Sequence, residues 1–97
     1  MDRLFVLKNL DGKALRVAVK VKGSGLLLMQ DAVYQLNEAL PEARQVESAL
    51  RKGKPVYYLR KDAEKRGVEG KTVSGAEPLD IDGVVDLLFS GATVLNL

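Results

Sequence analysis

The chain has 97 residues, 46% hydrophobic and 29% charged, which is the size and mix of one modest globular core rather than a disordered tract. It has no cysteine and no histidine, excluding disulfides, cysteine-based zinc sites, persulfide carriage on this chain and imidazole-driven catalysis. A formal net charge of +2 is too small to imply a nucleic-acid partner by itself.

The longest aliphatic run, Leu26 to Met29, is too short to span a bilayer. Met1-Asp2-Arg3 leads straight into Leu4-Phe5-Val6-Leu7, without the basic, apolar and small-residue succession of a secretory signal. The protein is therefore expected in the cytoplasm. With no internal repeat or linker, residues 1–97 are expected to form a single domain.

In chain order, Leu4 to Leu7 is an apolar run of strand length, and Lys8-Asn9 ends it. The segment from Lys13 to Lys22 is ambiguous. Leu10, Ala14, Val17, Ala18 and Val21 follow helical spacing, whereas Val17, Val19 and Val21 also alternate as in a strand. Asp11-Gly12 is even compatible with a hairpin turn. Leu26 to Met29 settles the choice, because a run apolar on both faces fits a central parallel strand. Parallel neighbours need a crossover, normally a helix, which Gly23 and Gly25 would stop.

Asp31 is expected to cap a helix carrying Val33, Leu36 and Leu40, with Pro41 breaking it or starting another. Ala43, Val46, Ala49 and Leu50 continue at helical spacing to Gly53, supported by the i,i+4 pair Glu47 and Arg51. Pro55 to Leu59 is rich in β-formers and gives a third strand. Asp62 is expected to cap a short helix ending at Gly67. Val68 to Gly75 reads as a Gly-rich loop, and Ala76 to Asp80 as a short strand that Pro78 restricts to an edge or start position. Asp82 is expected to cap a helix through Phe89, and Thr93 to Leu97 closes the chain as a short strand. The succession predicts an α/β fold: a three-layer α/β/α sandwich with an open, mainly parallel sheet of four or five strands.

Sites in such sheets collect beyond the carboxyl ends of the strands. Those ends present Lys8-Asn9, Gln30-Asp31 and Arg60-Lys61-Asp62. Gln30, Asp31, Lys61 and Asp62 are accordingly the candidate contacts for a partner or ligand. The plainer alternative, that Asp31 and Asp62 are caps and nothing more, is preferred for each residue taken alone. Gly23-Ser24-Gly25 lacks the third glycine of a dinucleotide loop and the lysine-hydroxyl pair of a P-loop. Asp80-Ile81-Asp82-Gly83 has its glycine too early for a calcium loop. The serines have no histidine to activate them. No catalytic, metal or cofactor-binding residue is assigned.

Arg51, Lys52, Lys54, Arg60, Lys61, Lys65 and Arg66 cluster in sequence around Tyr57 and Tyr58, a composition that can hold RNA by stacking beside a basic surface. The preferred reading places the tyrosines on opposite sides of the third strand and the charges on solvated helix faces.

The run Leu26-Leu27-Leu28-Met29-Gln30-Asp31-Ala32-Val33 resembles a strand followed by Gln-Asp/Asn-Gly-Val in the DsrH/TusB family of sulfur-relay proteins. Val56-Tyr57-Tyr58-Leu59-Arg60-Lys61-Asp62-Ala63-Glu64-Lys65-Arg66-Gly67 is similar to that family's Val-Tyr-Ala-Leu, Asp, Arg-Gly stretch. Leu79 to Leu87 is a weaker echo of its last strand-to-helix step. The resemblance implies a three-layer α/β fold and a role in sulfur relay beside homologous DsrE/TusD-like and DsrF/TusC-like subunits. Such complexes serve tRNA 2-thiouridine formation or sulfur oxidation, with the principal acceptor cysteine on the DsrE/TusD-type chain.

This sequence departs from the family in two places. Lys8-Asn9-Leu10-Asp11 has no thiol where some members carry one, and Val94-Leu95-Asn96-Leu97 lacks the C-terminal aromatic. The expectation is a non-catalytic subunit, in a homo- or hetero-oligomer, whose chemistry lies on another chain. A stand-alone homo-oligomer binding a small anion or nucleotide at the strand ends is the second expectation. Direct tRNA contact through the basic middle segment is the third and weakest.

Overall fold

A computed structural model describes residues 1–97. Five strands, β1 (Arg3–Leu7), β2 (Ser24–Leu28), β3 (Val56–Leu59), β4 (Glu77–Leu79) and β5 (Thr93–Asn96), form one sheet in the order β4-β3-β2-β1-β5. Every neighbouring pair is parallel. The helices are α1 (Gly12–Lys20), α2 (Ala43–Arg51), α3 (Arg60–Lys65) and α4 (Ile81–Leu88), with a 3-10 helix over Gln30–Leu36. The open parallel α/β sheet is the expected fold class.

The Leu26-Leu27-Leu28 run behaves as a central strand must. It lies between β1 and β3, and every residue of β2 is buried. Each buried leucine contributes about 1.5–3 kcal/mol of burial. Gly25 belongs to this strand rather than to the helix stop expected of it. A Cβ there would collide with the Met1 side chain and sit 3.1 Å from Pro55 Cγ. Gly23, with φ of 71°, makes the turn before the strand.

Segment 12–20 is a helix. Asp11 is its N-cap, accepting from the backbone N–H of Lys13 at 3.0 Å and of Ala14 at 3.2 Å, a cap rather than a hairpin corner. Three other expected caps are corrected. Asp31 lies inside the 3-10 helix after Met29. Asp62 lies in the first turn of α3 after Leu59. Asp82 lies in the first turn of α4 after Asp80. None of these three starts has a side-chain cap hydrogen bond. The helix expected from Asp31 is 3-10, not α. Its exit is held by an antiparallel bridge from Asn37 to Thr72 and by Val73 N–H donating to the Leu36 carbonyl at 2.9 Å.

Strands β1 to β4 advance in one direction across the sheet, so right-handed crossovers put α1, the 3-10 helix, α2 and α3 on one face. Between β4 and β5 the chain returns to the far edge, and the same handedness puts α4 on the other face. The first face carries an 18-residue core that includes Leu15, Leu26, Leu28, Leu36, Val46 and Tyr58. The second carries Leu4, Val6, Leu27 and Val84, with Tyr57, Leu59, Leu87 and Leu88 against them. Tyr57 and Tyr58 thus point to opposite faces, as strand alternation requires.

Candidate functional site

Beyond the carboxyl ends of β2 and β3, the chain turns into the 3-10 helix and α3, and the side chains of Asp31, Asp62 and Arg66 meet the backbone of Gln30 there. Gln30 has φ of 50° and is the sole non-glycine residue in the left-handed region, a conformation costing roughly 1–2 kcal/mol. Its backbone N–H donates to Asp62 Oδ2 at 2.6 Å. The charged hydrogen bond across two strand ends is worth about 1.5–3 kcal/mol when shielded from water, and it offsets the strain.

Arg66 stands one helical turn beyond Asp62. Its Nε donates to Asp31 Oδ1 at 3.0 Å, its Nη1 donates to the Asp62 carbonyl at 3.3 Å, and Nη1 lies 3.5 Å from Asp62 Oδ1. The Asp62 and Arg66 side chains are only 13% and 20% exposed, whereas Asp31 is 62% exposed. The Asp62 contact is therefore the firmer one, and the Asp31 pair contributes at most about 1 kcal/mol.

A second pair closes the outer edge. Arg60, at the start of α3, donates through Nε to Asp80 Oδ1 at 3.0 Å and through Nη2 to the same oxygen. Hydrogen bonding to Asp80, and then its charge, hold the Arg60 guanidinium above its ordinary pKa.

Three of the four sequence-predicted contacts, Gln30, Asp31 and Asp62, are brought together. Lys61 is exposed and enters no hydrogen bond or ion pair of the cluster. Lys8 and Asn9 follow β1 on the same edge of the sheet and are exposed. Arg66, which joins both carboxylates, was not among the expected contacts. Its spacing of four residues from Asp62 was the available signal.

The basic middle segment divides. Arg60 and Arg66 are engaged by Asp80, Asp31 and Asp62 at the carboxyl ends of the strands, while Lys52 and Lys54 lie at the amino end of β3. No group of three or more carboxylates converges as a metal site. The cluster can orient a polar group through the Asp31 carboxylate and the Gln30 side chain. It holds no thiol or imidazole.

This geometry defines a small, open-sheet parallel α/β protein with a carboxylate–guanidinium lock at the strand ends. A family model described as DsrH like protein matches residues 12–94, and the chain belongs to that family, which takes part in sulfur relay. No curated protein matches the sequence.

Among solved structures, the ychN protein from E. coli is similar over 100% of both chains, with a TM-score of 0.81 and 19% identity. A protein of unknown function from Methanobacterium thermoautotrophicum is similar over 98% of this chain and 97% of its own, with a TM-score of 0.78 and 10% identity. A conserved protein of unknown function from Bacteroides thetaiotaomicron covers 99% of this chain and 95% of its own, with a TM-score of 0.74 and 14% identity. At these identities the likeness establishes the fold alone. No helix is long and apolar enough to cross a membrane.

Proposed function

We propose that this chain is a non-catalytic subunit of a cytoplasmic sulfur-relay complex, serving tRNA 2-thiouridine synthesis or sulfur oxidation. It assembles with cysteine-bearing homologues of the DsrE/TusD and DsrF/TusC types. Membership of the DsrH-like family carries the pathway. The absence of cysteine and histidine supports leaving the chemistry to another chain.

Helix α4 carries the support for assembly. Its inward residues Val84, Leu87 and Leu88 pack on the sheet. On its outer side Ile81, Val85 and, just past its end, Phe89 follow i, i+4, i+8 spacing with 57%, 45% and 85% exposure. A helix apolar on both sides is a helix with a second surface to bury. In this reading Gln30, Asp31 and the Asp62–Arg66 lock face the partner's reactive loop, orienting it or shielding its persulfide.

The alternative, a stand-alone homo-oligomer binding a small anion or nucleotide at the same strand ends, draws less support, because Arg60 and Arg66 are already paired with carboxylates there. Isolation of the tagged protein from its own cells, followed by native mass spectrometry, separates the two. The proposal expects stoichiometric small chains that contain cysteine. A homo-oligomer without them, stabilised against heat by oxyanions or nucleotides, supports the alternative.

A further inference from the structure

The amino end of the sheet differs in charge from the carboxyl end, where Arg60 and Arg66 are paired with carboxylates. A cleft of about 560 Å³ opens where β2 and β3 begin, and its lining includes Lys20, Lys22, Lys52 and Lys54. A second cleft of about 340 Å³ lies between α1 and α2 and is lined with Arg16 and Arg44 as well as Lys20 and Lys52. The two share Val19, Lys20 and Lys52, so they form one continuous groove.

No acidic residue lines either cleft, and none of the six cations takes part in an ion pair. Two carboxylates stand just outside the lining. Asp2 lies beside Gly23, and Glu42 lies beside Gly12 at the start of α1. The charge is thus local: a chain of net charge +2 gathers these six cations in one groove and puts Asp80, Asp82 and Asp86 at α4 across the sheet.

The groove is also partly preorganised. Lys54 Nζ donates to the Val21 carbonyl and to Ser24 Oγ at 3.0 Å, while Ser24 Oγ donates to the Val21 carbonyl at 2.6 Å. One cation is thereby fixed at the floor while the remaining five are exposed.

We propose that this groove binds the phosphodiester backbone of a nucleic acid. Arg16 and Lys20 stand about one helical turn apart along α1, and Arg44 and Lys52 about two turns apart along α2, a spread of cations that suits successive phosphates better than one compact anion. Tyr57 and Tyr58 are packed on the sheet faces, leaving no aromatic platform for bases. Binding is therefore through the backbone, tolerant of sequence and steeply dependent on salt. This site is separate from the strand-end cluster and does not depend on the sulfur-relay reading.

The test is fluorescence anisotropy of a labelled single-stranded RNA titrated with the full chain, with inorganic tripolyphosphate as the competing small anion. Neutralising about four single-strand phosphates gives a slope near −3 in log K against log salt, so affinity falls roughly 60-fold between about 50 and 200 mM salt. The pair K20E/K52E weakens binding about tenfold or more, as does the independent pair R16E/R44E. The pair K65E/K71E changes net charge equally but sits outside the groove, and it leaves affinity within about twofold. Circular dichroism confirms that each variant is folded. Equal weakening by all three pairs, absence of binding at the lowest salt, or tighter binding of tripolyphosphate than of RNA each overturns the proposal.

Discussion

The two faces of the sheet are unequally built. One is covered by α1, the 3-10 helix, α2 and α3 over an 18-residue core. The other has α4 alone, and its core holds four buried residues, Val84 of α4 among them. Helix α4 runs back along the strands and is about 10–12 Å across with its side chains. The outer strands of a five-stranded sheet stand about 19 Å apart. One short helix cannot cover that width. The asymmetry follows from strand order and crossover handedness, not from any local preference, and it leaves the two most exposed large apolar residues of the molecule, Phe89 and Ile81, on the thin face.

The difference can be tested most strongly in the two cores. Leu28→Ala on the thick face removes a completely buried side chain and is expected to cost about 3–5 kcal/mol in urea unfolding. Leu87→Ala on the thin face, where the residue is half-buried, is expected to cost about 1–2 kcal/mol. Equal losses would erase the distinction between the faces.

The loss next in size belongs to the strand-end lock. Asp62→Ala leaves the Gln30 N–H without its carboxylate and Arg66 with one partner fewer. A loss of about 1–2 kcal/mol is expected, together with faster amide exchange at Gln30. Unchanged exchange there would show that the 2.6 Å hydrogen bond does not hold the turn.

A gain is expected within the thick core. Gln35 is completely buried, and its Oε1 has no hydrogen-bond partner. Gln35→Met keeps the volume and removes the orphaned acceptor, so it is expected to stabilise the fold by about 1 kcal/mol. Destabilisation of that size would show instead that the amide is fully satisfied in solution.

The smallest effect lies at the floor of the basic groove. Burial, and then the charge of Lys52, lower the pKa of Lys54 from its ordinary 10.5. Folding therefore disfavours charged Lys54. The penalty is complete below the folded-state pKa and disappears as pH rises through it towards 10.5. Stability of the natural protein should rise slightly relative to Lys54→Met in the alkaline window just below that value. A difference curve that falls there has the wrong sign for this account.

What the sequence revealed follows the range of the interactions. Leu26-Leu27-Leu28 announces a central strand because burial on both faces leaves a continuous apolar run. That strand in turn points to helix in segment 13–22, which its own periodicity does not, and the helix found spans Gly12–Lys20. Pro78 correctly marks an edge strand. Asp31 and Asp62 look like caps because a local pattern cannot see a distant competitor, whereas Asp82 falls in the first turn of a helix that starts from Asp80. Asp31 and Asp62 are engaged by Arg66 and the Gln30 N–H, which are brought close only by parallel pairing of β2 and β3.

The site was half legible for the same reason. Gln30, Asp31 and Asp62 stand at predictable strand ends, while the side chain that joins them sits a turn further on. The basic groove was hidden altogether, since Arg16 to Lys22 and Arg44 to Lys54 converge only once α1 and α2 pack side by side. The sequence cluster around Tyr57 and Tyr58 pointed to a patch that folding takes apart.

The central claim is that the thin face is completed by another chain, and native mass spectrometry of the tagged natural protein beside Phe89→Asp tests it most directly. The account predicts that the natural protein carries small cysteine-containing chains in fixed stoichiometry, and that Phe89→Asp releases them while its own circular dichroism and melting temperature stay close to normal. Retention of the same chains by a folded Phe89→Asp variant, or a natural protein that runs as a bare monomer, would contradict it.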